Sequence, residues 1–315
     1  MSILEAIGNT PLIEIGKYFI SNNKIKIWAK YEGSNPGGSV KDRAAIFMIR
    51  DAISKGILTP QRTILEATSG NTGIALAMIA SALGYKIKLF MPDSVSLERQ
   101  LILKALGADL TLTPGHQKTD GAIIAARKLI EKEPEKYFMP DQFSNPNNPL
   151  AHYQTTGPEI HQKLGDKIDY FVAGIGSGGT LTGCGRFLKE KIPQLKIIGV
   201  MPEKNHNIQG LKNLEESIVP SVLDLNLIDE KIVVSDEEAF YWTRKLSTKG
   251  IFVGISSGAA FAAVMQIVRK MKKGTIVTIF PDRGDRYLST TLFKSRSSRT
   301  QTKGSEQISA DFKNS

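Results

Sequence analysis

The chain has 315 residues, of which 41% are hydrophobic and 23% charged, enough to bury one large core or two ordinary ones. Its 41 Lys+Arg exceed its 31 Asp+Glu, a formal net charge of +10. The basic residues are dispersed, with no aromatic-basic array and no zinc or other metal-ligand spacing, so a nucleic-acid partner and a metal are not expected. The single cysteine, Cys184, excludes an intrachain disulfide and fits a reducing compartment, so a cytoplasmic location is expected. The start "MSILEAIGNT" lacks the basic-then-apolar pattern of a signal peptide. The longest apolar run, "GIALAMIASALG", is too short to span a bilayer, and no membrane partner is expected.

In chain order, "KIKIWAKY" alternates strictly, placing Ile25, Ile27, Ala29 and Tyr31 on one face of a strand. Ser39 is a reasonable N-cap for a helix that carries Lys41 one turn in. A regular alternation follows. "TILEAT", "KIKLFM" and "ADLTLT" read as strands, and "IALAMIASALG", "SLERQLILKALG" and "DGAIIAARKLIEKE" as the helices after them. "PDQFSNPNNP" (140–149) reads as a crossing between domains. The alternation resumes with strand "IDYFVAG", helix "LTGCGRFLKEK", strand "KIIGVMP", helices "DEEAFYWTRKLSTKG" and "GAAFAAVMQIVRKM", and a last buried strand "TIVTIF". Strand–helix alternation with glycines at helix ends implies α/β architecture: two doubly wound open sheets with a ligand cleft between them. From about Thr291 the chain is polar and short of large apolar residues, so a mobile tail over 291–315 is expected.

Four strand-to-helix loops are equipped for chemistry. In "GIGSGGT", Gly176, Gly178 and Gly179 let backbone amides converge, and Ser177 and Thr180 add hydroxyls, which makes an anion cup suited to a phosphate. Neither the Walker nor the Rossmann spacing is present, and a tight packing turn is the plainer alternative. "ATSGNTG" offers Thr68, Ser69, Asn71 and Thr72 at a second helix start, suited to a carboxylate or to simple capping. "VGISSGAA" places Ser256 and Ser257 before a helix, and "FPDRGDRYLST" follows the last strand. Four such loops and Lys41, in "EGSNPGGSVKDR", suggest a cofactor with a phosphate, a carbonyl and a ring nitrogen. Pyridoxal 5'-phosphate has all three, and a lysine holds it as a Schiff base.

"IGNTPLIEI", "NPGGSVKDR", "TSGNTG", "MPDSVSLERQLILKALGA", "DQFSNPNNPLAHYQTTGPEI", "GIGSGGTLTG", "GISSGAA" and "GDRYLST" together resemble O-acetylserine sulfhydrylase (cysteine synthase), a fold-type II pyridoxal-phosphate family, from about Ile3 to Phe293. "EGSNPGGSVKDR", "GLKNLEESIVP" and "DRGDRYLST" are more similar to its B-type branch.

The resemblance implies that Lys41 is the Schiff-base lysine and proton carrier, and that Asn71 lies beside the cofactor's 3'-oxygen. It implies that Gly176, Ser177, Gly178, Gly179 and Thr180 hold the phosphate and that Ser256 meets the pyridine nitrogen. Thr68, Ser69, Asn71 and Thr72, with Gln142, would hold the substrate carboxylate. It also implies a smaller domain over 35–145 and a larger one from 1–34 plus 146–290. The implied reaction makes L-cysteine from O-acetyl-L-serine and sulfide or thiosulfate through an aminoacrylate. A homodimer is implied; a complex with serine acetyltransferase is not expected of the B-type.

Alternatives are an O-phosphoserine-dependent or carrier-protein-dependent cysteine synthase, a cystathionine β-synthase-like activity, a dehydratase, and a non-catalytic nucleotide- or cofactor-binding regulator. Two residues leave choices open. Asp282 could approach the pyridine nitrogen, and Lys212 could sit at the cleft mouth and favour a more anionic substrate, or be a solvated lysine.

Overall fold

The computed structural model describes residues 2–68 and 70–293. The chain opens with β1 (Leu12–Glu14) and β2 (Ile25–Tyr31), then α1 (Lys41–Ser54). There follow β3 (Thr63–Ala67), α2 (Asn71–Leu83), β4 (Ile87–Pro92), α3 (Leu97–Ala105), β5 (Asp109–Thr113), α4 (Lys118–Lys132) and β6 (Tyr137–Phe138). The second half runs α5 (Asn147–Ala151), a π-helical turn (His152–Thr156), α6 (Gly157–Leu164), β7 (Tyr170–Gly174), α7 (Gly179–Lys191) and β8 (Lys196–Pro202). It closes with β9 (Glu230–Val234), α8 (Asp236–Ser247), α9 (Ile255–Val268) and β10 (Gly274–Phe280).

These strands make two open sheets, as expected. A six-stranded sheet has the order β1-β2-β10-β7-β8-β9, and a four-stranded sheet has the order β5-β4-β3-β6. All pairings are parallel except the edge pair β1–β2. The smaller sheet draws only on residues 63–138, and the larger on 12–31 and 170–280. Parallel strands need covering on both faces. Accordingly α2 and α9 are apolar around nearly their whole circumference and buried, α2 in a core with Ile64, Ile87 and Leu89, and α9 in one with Val172, Ile276 and Phe280.

Three details differ from the sequence reading. Ser39 is not the N-cap: Val40 occupies that position, and Lys41 is the first residue of α1 instead of one turn in. The Ser39 hydroxyl still accepts from the Lys41 amide at 3.3 Å. Packing also continues past Thr291. Leu292 is fully buried in the core of the larger sheet, its carbonyl accepts from Arg244 Nε at 2.7 Å, and Phe293 stacks on Phe252 with ring centroids 5.4 Å apart. The rest of the expected mobile tail lies outside the described residues.

Candidate functional site

The C-terminal ends of the two sheets face a shared cavity of about 840 Å³. Ligands in open α/β sheets bind at such ends. Its lining includes Lys41, Thr68, Asn71, Thr72, Gln142, Gly176, Ser177, Thr180 and Ser256, so one cavity gathers candidates from five segments of chain. Ser69 lies outside the described residues.

Lys41 is placed by a turn and by a crossing of backbones. Gly38, at φ +75°, turns the chain into α1. The Val40 amide donates to Pro281 O at 2.8 Å, and Ser39 pairs with Asp282, which ties the start of α1 to the end of β10. Burial holds the Lys41 amine down at about 8, against the opposing charge of Asp282. Next to it, Asp42 is fully buried and its Oδ2 accepts from the Gly37 amide at 2.5 Å. Burial pushes that carboxyl up to about 7, though the Gly37 amide and Arg286 work against it.

The anion cup forms where β7 passes into α7. Gly178, at φ +86°, is the N-cap of α7, and no side chain caps the helix, so its first amides remain available to a ligand. A Cβ on Gly176 would sit 2.4 Å from Gly210 O, and one on Gly179 1.9 Å from Asn148 Oδ1, so neither position has room for a side chain. Ser177 Oγ accepts from Asn148 Nδ2 at 3.0 Å, which leaves its own hydrogen to point at a ligand. Thr180 Oγ1 lies 3.2 Å from His152 Nε2, and His152 Nδ1 lies 2.8 Å from Thr156 Oγ1.

His152 is fully buried. Burial, helped by the charges of Arg43 and Lys41, keeps it well below its ordinary range and therefore neutral. A neutral ring carries one N–H, so it relays orientation between two hydroxyls. The sequence reading gave His152 and Asn148 no role. Their signal was their place in "NPNNPLAHYQTT", where the π-helical turn interrupts regular helix, as such turns do at functional sites.

The second loop, between β3 and α2, carries Thr68, Asn71 and Thr72. Thr68 Oγ1 accepts from the Gly70 amide at 3.0 Å, and Thr72 Oγ1 donates to Gln142 Oε1 at 2.7 Å. The Gln142 amide nitrogen is thereby turned away from Thr72. Asn71 is held at both ends: Nδ2 donates to Asp282 Oδ2 at 2.7 Å, and Oδ1 accepts from Arg286 Nη1. Arg286 was also passed over in the sequence reading.

Ser256, in the first turn of α9, lines the cavity, whereas Asp282 is fully buried and spends Oδ2 on Asn71 and Tyr287. Lys212 is in the lining, with its Nζ over the Phe143 ring at 4.9 Å, and burial lowers its pKa while Asp120 opposes the shift.

A family model described as pyridoxal-phosphate dependent enzyme matches residues 3–282. The cysteine synthase of Aquifex aeolicus is 48% identical over 303 residues, covering 94% of this chain and 93% of that protein. Cysteine synthase B of Escherichia coli is 43% identical over 295 residues, covering 93% and 96%. Among solved structures, an O-acetylserine dependent cystathionine β-synthase from Helicobacter pylori superposes with a TM-score of 0.87 at 43% identity, covering 93% of this chain and 98% of that one. No helix of the described residues is long and apolar enough to cross a membrane. With the model match spanning most of the chain and both sequence relatives aligned nearly end to end, this chain belongs to the pyridoxal-phosphate dependent enzyme family.

Proposed function

We infer that the chain is a cysteine synthase, which replaces the acetoxy group of O-acetyl-L-serine with a sulfur donor such as sulfide or thiosulfate and releases L-cysteine. The observation that carries it is Lys41 in one cavity with an uncapped helix N-terminus and a loop of hydroxyls and amides. The cysteine synthases of A. aeolicus and E. coli, similar along nearly the whole chain, support it. The donor set suits pyridoxal phosphate: a cup too crowded for any Cβ at Gly176 and Gly179, two hydroxyls, and a lysine amine held down at about 8.

When bound, the cofactor supplies the electron sink that loosens the substrate's α-hydrogen and β-substituent. Gly176, Ser177, Gly178, Gly179 and Thr180 would hold the phosphate, with His152 fixing the Thr180 hydroxyl and Asn148 fixing Ser177. Ser256, in the first turn of α9 and lining the cavity, would meet the pyridine nitrogen with a hydroxyl, a partner that would leave the nitrogen uncharged and suit elimination at the β-carbon. Thr68, Ser69, Asn71, Thr72 and Gln142 take the substrate carboxylate at the start of α2, where backbone amides favour an anion. Lys41 Nζ removes the α-proton, holds it, and returns it once sulfur has added. A base working near neutral pH needs a pKa close to that pH, and burial brings this amine to about 8.

The domains follow the two sheets, a smaller one over 35–145 and a larger one from 1–34 plus 146–290. The protein works as a homodimer in the cytoplasm, without a serine acetyltransferase complex. The test is the visible spectrum of the purified protein with and without O-acetylserine, followed by assay of cysteine on adding sulfide. A visible band that moves with O-acetylserine, and cysteine release, are expected. A colourless protein that pyridoxal phosphate cannot reconstitute would overturn the reading.

A further inference from the structure

Asp282 lies just beyond β10, fully buried, with both oxygens inside the protein. Three donors gather at Oδ2: Asn71 Nδ2 and Tyr287 Oη at 2.7 Å each, and Arg99 Nη2 at 3.8 Å. Oδ1 has no hydrogen-bond partner. It faces Gly254, where an added Cβ would sit 2.1 Å away, so the glycine is what makes room for the carboxylate. Tyr287 in turn accepts from Arg99 Nη2 at 2.8 Å, and Arg286 grips the far end of the Asn71 amide. The backbone pairing of Ser39 with Asp282, together with the Val40–Pro281 bond, brings this carboxylate alongside the start of α1, and its charge acts on Lys41.

A buried carboxylate with one open oxygen costs stability. Here it bonds Asn71 and acts by its charge on Lys41, two groups in the reaction's geometry, without lining the cavity. The Asn71 amide can have only one orientation, because its nitrogen faces a carboxylate and its oxygen a guanidinium. The second Nδ2 hydrogen is then the free one.

We propose that Asp282 is a positioning residue, which locks the Asn71 amide and sets a buried counter-charge alongside the start of α1 for the Lys41 amine. The proposal rests on Lys41 as the reactive amine. It does not depend on which β-substituted amino acid is the substrate.

The test is acetylation of Lys41 by acetic anhydride across pH 6–11, followed by mass spectrometry on the full-length protein freed of pyridoxal phosphate. The charged and titratable groups around Asp282 are Lys41, Arg99, Tyr287 and Tyr31, with Arg286 on the far side of Asn71, and Lys41 is read apart from the tyrosines and other lysines that the reagent also acetylates by following its own peptide after digestion. Asp282→Asn keeps the shape and removes the charge, and is expected to lower the acetylation midpoint by about one pH unit or more. Tyr287→Phe removes a hydrogen bond to the same oxygen but keeps the charge, and its midpoint is expected to stay with the wild type. Asp282→Ser serves as a second charge-free variant if Asp282→Asn does not fold. An unmoved midpoint in a folded charge-free variant overturns the proposal, as does a matching shift in Tyr287→Phe. Failure of both charge-free variants to fold, with Tyr287→Phe folded, also overturns it, because the carboxylate would then be structural.

Discussion

Two sets of buried charge, one packed around Arg43 and one on the side of the cavity, are built differently. In the first, Lys30, Glu32, Arg43 and Glu159 make a closed set of two cations and two anions. Every carboxylate oxygen there has at least two donors. Glu32 Oε1 accepts from Thr10 Oγ1 and Arg43 Nη2, and Oε2 from Asn35 Nδ2 and Arg43 Nε. Glu159 Oε1 accepts from Arg43 Nη1 and the Asn9 amide, and Oε2 meets Arg43 Nη2 and Lys30 Nζ. Burial would raise the Glu159 carboxyl, but Arg43 and Lys30 outweigh it and bring it down to about 2.

On the cavity side, Asp42, Glu66 and Asp282 each keep one buried oxygen without a hydrogen-bond partner. Burial prevails there, putting Asp42 at about 7, Glu66 at about 8 and the Lys41 amine at about 8. The closed set anchors the helix, and its Glu159 carboxyl titrates far from neutrality. The open set holds Asp42, Glu66 and Lys41, which exchange protons near the working pH.

The largest expected effect separates the two functions. Lys41→Ala should lower turnover by on the order of 10²–10⁴-fold or more, with far-UV circular dichroism and the urea midpoint close to wild type. A variant with normal turnover would end the assignment of Lys41 as base. Arg43→Met should do the reverse and act first on stability. It strands Glu32 without its cation and leaves Glu159 only Lys30, at a cost of about 3–5 kcal/mol in urea unfolding. Arg43 is two residues from Lys41, so an activity loss without a stability loss would mean that the closed set is part of the chemistry.

The closed set was hard to see in the sequence. "KIKIWAKY" reads as a strand with lysines on its solvent face, yet Lys30 is buried because Glu159, more than a hundred residues later, lies 2.5 Å away. Pairing at that separation has no local signature. The cavity lining was more legible. Lys41, Asn71, Ser177, Thr180 and Ser256 stand at strand-to-helix turns whose glycines and hydroxyls mark them. Helix starts fell a few residues earlier than expected, so that Asn71 and Ser256 are helical instead of in loops. β6, of two residues, and β9, whose "EKIVV" has one polar end, are too short or too weakly patterned to be found by period. His152 and Arg286 escaped because their roles depend on partners brought in by the fold: His152 pairs with Thr180 from α7, and Arg286 with Asn71 and Gly37.

The smallest effect distinguishes the sets by the sign of their pH dependence. Glu66 is nearly fully buried in β3, with Oε1 accepting from the Ala67 amide at 2.9 Å and Oε2 unpartnered. Its carboxyl ordinarily titrates at 4.5, and burial raises it to about 8 in the folded chain. Between those values the folded state holds a proton that the unfolded state has released. The stability contributed by neutral Glu66 is therefore complete below about pH 4.5 and drains away as pH rises to about 8. Glu159 has the opposite slope: its contribution is complete above about 4.5 and is lost as pH falls toward 2. Glu66→Gln keeps the shape and cannot ionise. Relative to wild type it should gain on the order of 2 kcal/mol in urea unfolding between pH 5 and pH 6.5. Curves that run parallel over that window would show that Glu66 is already ionised at pH 5. The cavity side would then contain a counter-charge as effective as Arg43 is for Glu159, and the contrast between the two sets would not hold at this residue.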